Sequence, residues 1–164
     1  MQALSRLTHP SEGLHSPEMP NTALETVRRW LAIVLLIGLI GTEAELLLLK
    51  HFDGFWQLVP VTAIGVATVI LAWYAVGTSR ASIRAVQAVM ILFVLAGMVG
   101  TIQHFRGNVD HERESDPSVA GMELYRRSMM GSTPALAPGA MIQLGLIGLL
   151  LTYRHPRLGR DETT

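Results

Sequence analysis

Long apolar runs separated by short polar stretches set the pattern of this chain. Trp30 to Leu49 is one such run, about 20 residues, and at roughly 1.5 Å per residue a helix of that length covers the roughly 30 Å of a hydrocarbon core. Trp56 to Val76, Ala85 to Gln103 and Ala135 to Tyr153 follow, interrupted only by small residues, Gln, Thr or an occasional Pro. Gly38 with Thr42, Ala63 with Ala67 and Ala96 with Gly100 place small residues four apart, a spacing that lets helix backbones approach closely where lipid supplies no hydrophobic drive. The pattern predicts an all-α integral membrane protein, a four-transmembrane-helix bundle with spans at about 30–49, 56–76, 85–103 and 135–153. A soluble fold is disfavoured, because four segments apolar all round leave too little polar sequence to cover them.

The polar segments between these runs divide the rest of the chain. Residues 1–27 read as a flexible cytoplasmic tail punctuated by Pro10, Gly13, Pro17 and Pro20, and 156–164 as a second short cytoplasmic tail flanking a 28–155 membrane domain. Met1 to Glu25 lacks an apolar core followed by a small-residue cleavage site, so insertion is expected to rest on the internal spans. The one sizeable loop, 104–134, begins with the polar stretch Arg106 to Asp116. Asp116 ahead of Pro117 then reads as an N-cap and first helical position, and Val119, Met122, Tyr125 and Met129 recur at helical spacing until Gly131. That predicts a short amphipathic helix lying on the outer surface, where it caps the bundle, floats on lipid or docks a partner. Pro134 and Pro138 fall at the start of span four, where a missing amide donor costs least.

Positive charge gives these spans a direction. Arg6, Arg28, Arg29, Arg80, Arg84, Arg154, Arg157 and Arg160 all fall on one side of the expected membrane. The other side holds Lys50, Arg106, Arg113, Arg126 and Arg127, four of them diluted by acids in the long loop. Lys and Arg are retained on the cytoplasmic side, so both termini are expected inside, in a plasma membrane of the bacterial inner-membrane kind. Trp30, Trp73, Tyr74 and Tyr153 at the inner boundary, with Phe55, Trp56 and Phe105 at the outer one, agree. With 13 Lys and Arg against 13 Asp and Glu, the chain lacks the clustered excess of positive charge that nucleic acid requires. It also has no cysteine, which excludes disulfides, Cys-ligated iron–sulfur clusters, covalently attached haem and thiol redox chemistry.

Glu43 and Glu45 are the anomaly, because carboxylates inside a span are costly and usually have a reason. They lie about 9 Å and 6 Å below the outer edge at roughly 1.5 Å per residue, and at a spacing of two they project from different sides of the helix. His51 and Asp53 follow at the outer end of span one, His104 ends span three, and Asn108, Asp110, His111 and Glu112 begin the loop. The expectation is a shallow polar site at the outer mouth built from Glu43, Glu45, His51, Asp53, His104, Asn108, His111 and Glu112. His51, His104, Glu43 and Glu45 offer the ligand types of a divalent metal such as Zn²⁺. A b-type haem between His51 and His104 is the poorer fit, since bundle haem sites place their histidines inside the apolar region. Gln87 and Gln143 read as interhelical hydrogen bonders, and the apolar middle of span two argues against a channel.

No phosphate loop, nucleophile motif or internal repeat points to an enzyme. Small size, minimal cytoplasmic loops and one outward amphipathic helix lead to the expectation of a noncatalytic subunit or assembly factor. Its partners would be the lipid bilayer and other membrane subunits, or copies of itself, with Val119, Met122, Tyr125 and Met129 as the docking face. The competing expectation is a metal- or proton-linked site at the outer mouth serving small-solute transport or a membrane reaction.

Overall fold

A computed structural model describes residues 21–131 and 133–159. The segment 1–20 of the expected N-terminal tail and residues 160–164 of the C-terminal one lie outside the described residues. The described chain is helical, with no strand: α1 (Asn21–Leu48), α2 (Phe55–Val76), α3 (Arg80–Ser115), α4 (Gly121–Met129) and α5 (Gly139–Thr152), ending in a 3₁₀ turn at Pro156–Leu158. The first three helices are each long and apolar enough to cross a membrane, as the apolar runs predict.

Two helices run past their apolar cores. α1 takes in 21–27 of the expected tail. α3 starts ahead of Ala85 because Ser79 and Ser82 close a reciprocal capping box: the Ser82 amide donates to Ser79 Oγ at 3.1 Å and the Ser79 amide to Ser82 Oγ at 2.9 Å. At the other end α3 continues through His104 to Ser115, converting the polar stretch expected as loop into three more turns. Arg106 to Ser115 contains no proline, and its one glycine, Gly107, does not break the ladder. At 36 residues α3 is about 54 Å long, well beyond a bilayer's hydrocarbon thickness.

Asp116 therefore ends one helix rather than starting the next. Its amide closes on Glu112 O, and Oδ1 accepts from the Ser118 amide at 3.1 Å and the Ser118 hydroxyl at 2.6 Å, a local turn that competes with helix capping. Pro117 cannot continue the α3 hydrogen-bond ladder. The chain turns through Gly121, whose φ of 60° is costly for any other residue, and α4 begins there. α5 likewise starts late, at Gly139, because Pro134 to Pro138 form successive turns, with the Gly139 amide bonding to Leu136 O and the Met141 amide to Pro138 O. Its 14 residues make about 21 Å, shorter than the span read from the sequence.

α1 packs on α2 and α5, and α3 packs on the same two helices, most extensively on α5. Leu35 and Leu39 from α1, Ile64 and Leu71 from α2, Ile83, Met90 and Phe93 from α3, and Leu144 and Leu151 from α5 form the shared core. Glycine makes the α3–α5 seam close. A Cβ at Gly145 would lie 2.8 Å from Met90 O, and one at Gly97 2.8 Å from Pro138 O. Around the outside, Ile37, Val69, Leu92 and Leu150 are exposed, the inversion that a lipid solvent tolerates and water does not.

Hydrogen bonds tie one end of the molecule together. Arg28 donates to Tyr153 O at 3.2 Å and Arg154 O at 3.4 Å, Arg80 Nε to Arg157 O at 3.1 Å, and the Arg157 guanidinium to Thr78 O. The start of α1, the α2–α3 connection and the chain after α5 meet there. The α1–α2 turn, the last turns of α3 and α4 lie at the opposite end.

Candidate functional site

The extension of α3 decides what becomes of the outer polar residues. His104, Asn108, His111 and Glu112 fall at helical spacing on one continuous helix. His104 Nδ1 lies 3.1 Å from Pro134 O, so the ring donates to that carbonyl. Asn108, 3% exposed, is the most enclosed of the set. Its amide donates to Ser128 O at 2.9 Å and Thr133 O at 2.7 Å, and its Oδ1 accepts from the Thr133 amide at 3.4 Å. A Cβ on Gly131 would lie 2.7 Å from Asn108 Cγ, so glycine there is what admits the amide. These groups clip the chain leaving α4 against the side of α3. His111 is exposed and Glu112 half-buried beside them.

The other half of the expected site stands elsewhere. Glu45 and Asp53 are exposed, and Asp53 donates its amide to Gln57 Oε1 at 2.9 Å. His51 is half-buried in the α1–α2 turn, where its amide reaches back to Leu46 O at 2.8 Å and Lys50 takes a left-handed φ of 53°. Glu43 faces α2, in a cavity of about 370 Å³ lined by Ile40, Ala44, Leu47, Gly65 and Thr68. Its Oε2 is buried without a hydrogen-bond partner among the described residues. The metal set His51, His104, Glu43 and Glu45 is not drawn together. Among the described residues no three His, Asp or Glu side chains gather as an ion would require. The reason is architectural: α1 and α3 stand diagonally, with α2 and α5 packed between them.

α4 shows two faces. Leu124 and Ser128 are buried against α3, and Val119, expected in the docking face, is buried with them. Met122 points away and Tyr125, though half-exposed, rests its ring 5.7 Å from that of Phe105 on α3, while Met129 is half-buried and Met130 exposed. Glu123 is gripped by Arg126 at 2.7 Å and Arg127 at 2.8 Å, and their hydrogen bonds pull its pKa down to about 2. The Ser118 hydrogen bonds, with a smaller contribution from Arg127 at 3.4 Å, hold Asp116 below its ordinary value.

A cleft that the sequence pattern does not announce lies at the opposite end. About 870 Å³ in volume, it opens between α1, α2 and the 3₁₀ turn. Arg28, Arg29 and Arg157 stand on its rim with Glu25, Thr78 and His155, and Ile33, Leu36, Leu71 and Ala72 line it further along the helices. Tyr74 and His155 form one wall, their rings edge to face at 6.2 Å. His155 Nδ1 accepts from the Arg157 amide at 3.3 Å. Burial first, then the charges of Arg28 and Arg157, keep His155 below its ordinary pKa and hence neutral at pH 7. The signal was present as Arg28, Arg29 and Arg157, which sequence reasoning used only to set direction.

No family model, curated protein or solved structure matches this chain.

Proposed function

We propose that the chain is a noncatalytic membrane subunit or assembly factor, crossing the bilayer four times with both termini on the cytoplasmic side of a bacterial inner membrane. α5 would make the fourth crossing, lengthened by the turns at 135–138 and by Tyr153 and Arg154. Support for the direction comes from the arginines gathered where α1 begins and α5 ends. The observation that carries the functional reading is the arm formed by the end of α3 and α4. It is pinned by Asn108 and by the Arg127–Asp116 ion pair, yet it holds Met122 and Met130 outward at 79% and 75% exposure. A rigid arm with an apolar outer face suits docking on another membrane subunit, because the ordering entropy of the interface has been met within the fold.

The test is purification in mild detergent followed by native mass measurement. A larger assembly is expected, and Met122→Ser with Met130→Ser should release it while leaving the helix content unchanged. A monomer of unmodified protein, or an assembly indifferent to both substitutions, would overturn the reading.

A second reading, a proton-linked site, is favoured by the orphaned Oε2 of Glu43 in its apolar cavity. It requires an infrared band of a protonated carboxyl at neutral pH that disappears in Glu43→Gln. Absence of that band sinks it.

A further inference from the structure

Arginine charge is distributed unevenly between the two ends of this molecule. Among the described residues, every ion pair lies in the outer arm, joining Arg126 and Arg127 to Glu123 and Asp116. At the opposite end the hydrogen bonds that Arg28, Arg80 and Arg157 make among the described residues run to backbone carbonyls, which carry no compensating charge. Arg80 Nη2 is buried with no hydrogen-bond partner among the described residues. Among the described residues Glu25 is the single carboxylate on the rim of the 870 Å³ cleft, against Arg28, Arg29 and Arg157. Such a rim is short of anions.

The wall below the rim has the opposite character. Ile33 and Leu36 face Leu71 and Ala72, and the seam continues into the Glu43 cavity, since Thr68 borders both spaces. A free phosphate would satisfy the arginines and leave this apolar wall uncovered. An amphiphile satisfies both. Trp30 and Trp73, exposed near the same end, mark the depth at which headgroups meet acyl chains.

We infer that the cleft between α1 and α2 binds an anionic phospholipid, its phosphate among Arg28, Arg29 and Arg157 and an acyl chain along Ile33, Leu36, Leu71 and Ala72. Basic pockets between spans on the cytoplasmic side are where such headgroups bind. The Thr78 hydroxyl, itself bonded to Tyr74 O at 3.1 Å, and the His155 ring complete the polar rim. Because His155 Nδ1 accepts the Arg157 amide, the proton of the neutral ring sits on Nε2, giving a donor that adds no charge. The inference rests on the bilayer crossing proposed above and not on the outer arm having a partner.

The experiment reconstitutes the full chain in nanodiscs and vesicles of phosphatidylcholine with increasing phosphatidylglycerol, and counts retained lipid by native mass spectrometry. Preference for phosphatidylglycerol is expected, falling about fivefold in Arg29→Gln and on the order of twentyfold in Arg29→Gln with Arg157→Gln, at roughly one factor of five per arginine. Among the described residues Arg29 donates no hydrogen bond and joins no ion pair, so its variant separates binding from folding. Ala72→Trp, which fills the wall and keeps every charge, should weaken retention comparably. Equal retention of both lipids, preference unaffected by the arginine changes, or indifference to Ala72→Trp would each overturn the proposal. So would displacement of the lipid by an equal concentration of soluble glycerol phosphate, which would make the ligand a free anion. Protein that fails to float with vesicles of any composition sinks the bilayer reading, whereas flotation without lipid preference sinks the lipid site alone.

Discussion

Replacing Asn108 with Ala should free α4 from α3 without unfolding the helices inside the membrane. The side chain supplies two donated hydrogen bonds, to Ser128 O and Thr133 O, and accepts a longer one from the Thr133 amide. Each net hydrogen bond contributes about 0.5–1.5 kcal/mol, and a buried carbonyl left unpaired costs about 1–3 kcal/mol. Water admitted to the vacated space recovers part of this, so a loss of roughly 2–4 kcal/mol in the local opening free energy follows. A tenfold change in an equilibrium is about 1.4 kcal/mol, so the arm should open about 30- to 700-fold more often. Amide hydrogen exchange at Leu124 to Met130, measured in detergent, reads that population directly, while Ile83 to Phe93 in the core serves as internal reference. Asn108→Asp sharpens the test, because an ionised carboxylate cannot donate and would face two carbonyl oxygens at hydrogen-bonding distance. It should open the arm at least as far as Asn108→Ala. If the α4 amides keep their protection in Asn108→Asp, or if core and arm lose protection together, the clip does not work as argued.

Two further outcomes follow from the same geometry. Gly97→Ala should lower thermal stability in detergent by about 1–3 kcal/mol, because its Cβ meets backbone atoms at the start of α5, Pro138 O just before it at 2.8 Å and Ile142 N within it at 3.0 Å, that cannot swing aside. Gly41→Ala, with nothing within 4 Å, should leave stability unchanged or slightly higher, and a Gly97 variant that melts with it would refute the close seam. The order of α4 should hold from neutral pH down to about 4.5 and then weaken as pH falls toward about 2. Glu123 has a folded pKa depressed to about 2, so its contribution is present above the ordinary carboxylate value and is lost through that window. Glu123→Gln should flatten this dependence, measured as amide exchange corrected for intrinsic rates. An unaltered profile in that variant would assign the acid sensitivity elsewhere.

The membrane helices were legible because a run of apolar residues longer than a turn-rich loop has few alternatives once water is excluded. Trp56 to Val76 is within a residue of α2. What misled was polarity taken for irregularity. Arg106 to Ser115 carries charge at Arg106, Asp110, Glu112, Arg113 and Glu114, yet helix formation needs backbone continuity rather than an apolar stripe, and nothing in that stretch interrupts it. Asp116 with Pro117 is equally sound as a stop or a start, and the chain uses it as a stop. Among the site residues, Asn108 is indistinguishable in sequence from a solvated loop amide, and only the close approach of Gly131 reveals that it is enclosed. Arg28 and Arg157 lie 129 positions apart, so their meeting over one cleft depends on how α1 and α5 pack, which no local pattern encodes.

The length of α3 has a mechanical consequence. One uninterrupted rod carries Arg80, hydrogen-bonded to the Arg157 carbonyl, at its first turn, and Asn108, holding α4, near its last. Pivoted at its middle, a rod of about 54 Å that tilts by roughly 5° moves each tip by about 2 Å in opposite senses. In such a tilt a displacement at the α4 end would be matched at the arginine end, on the scale of a hydrogen bond made or broken.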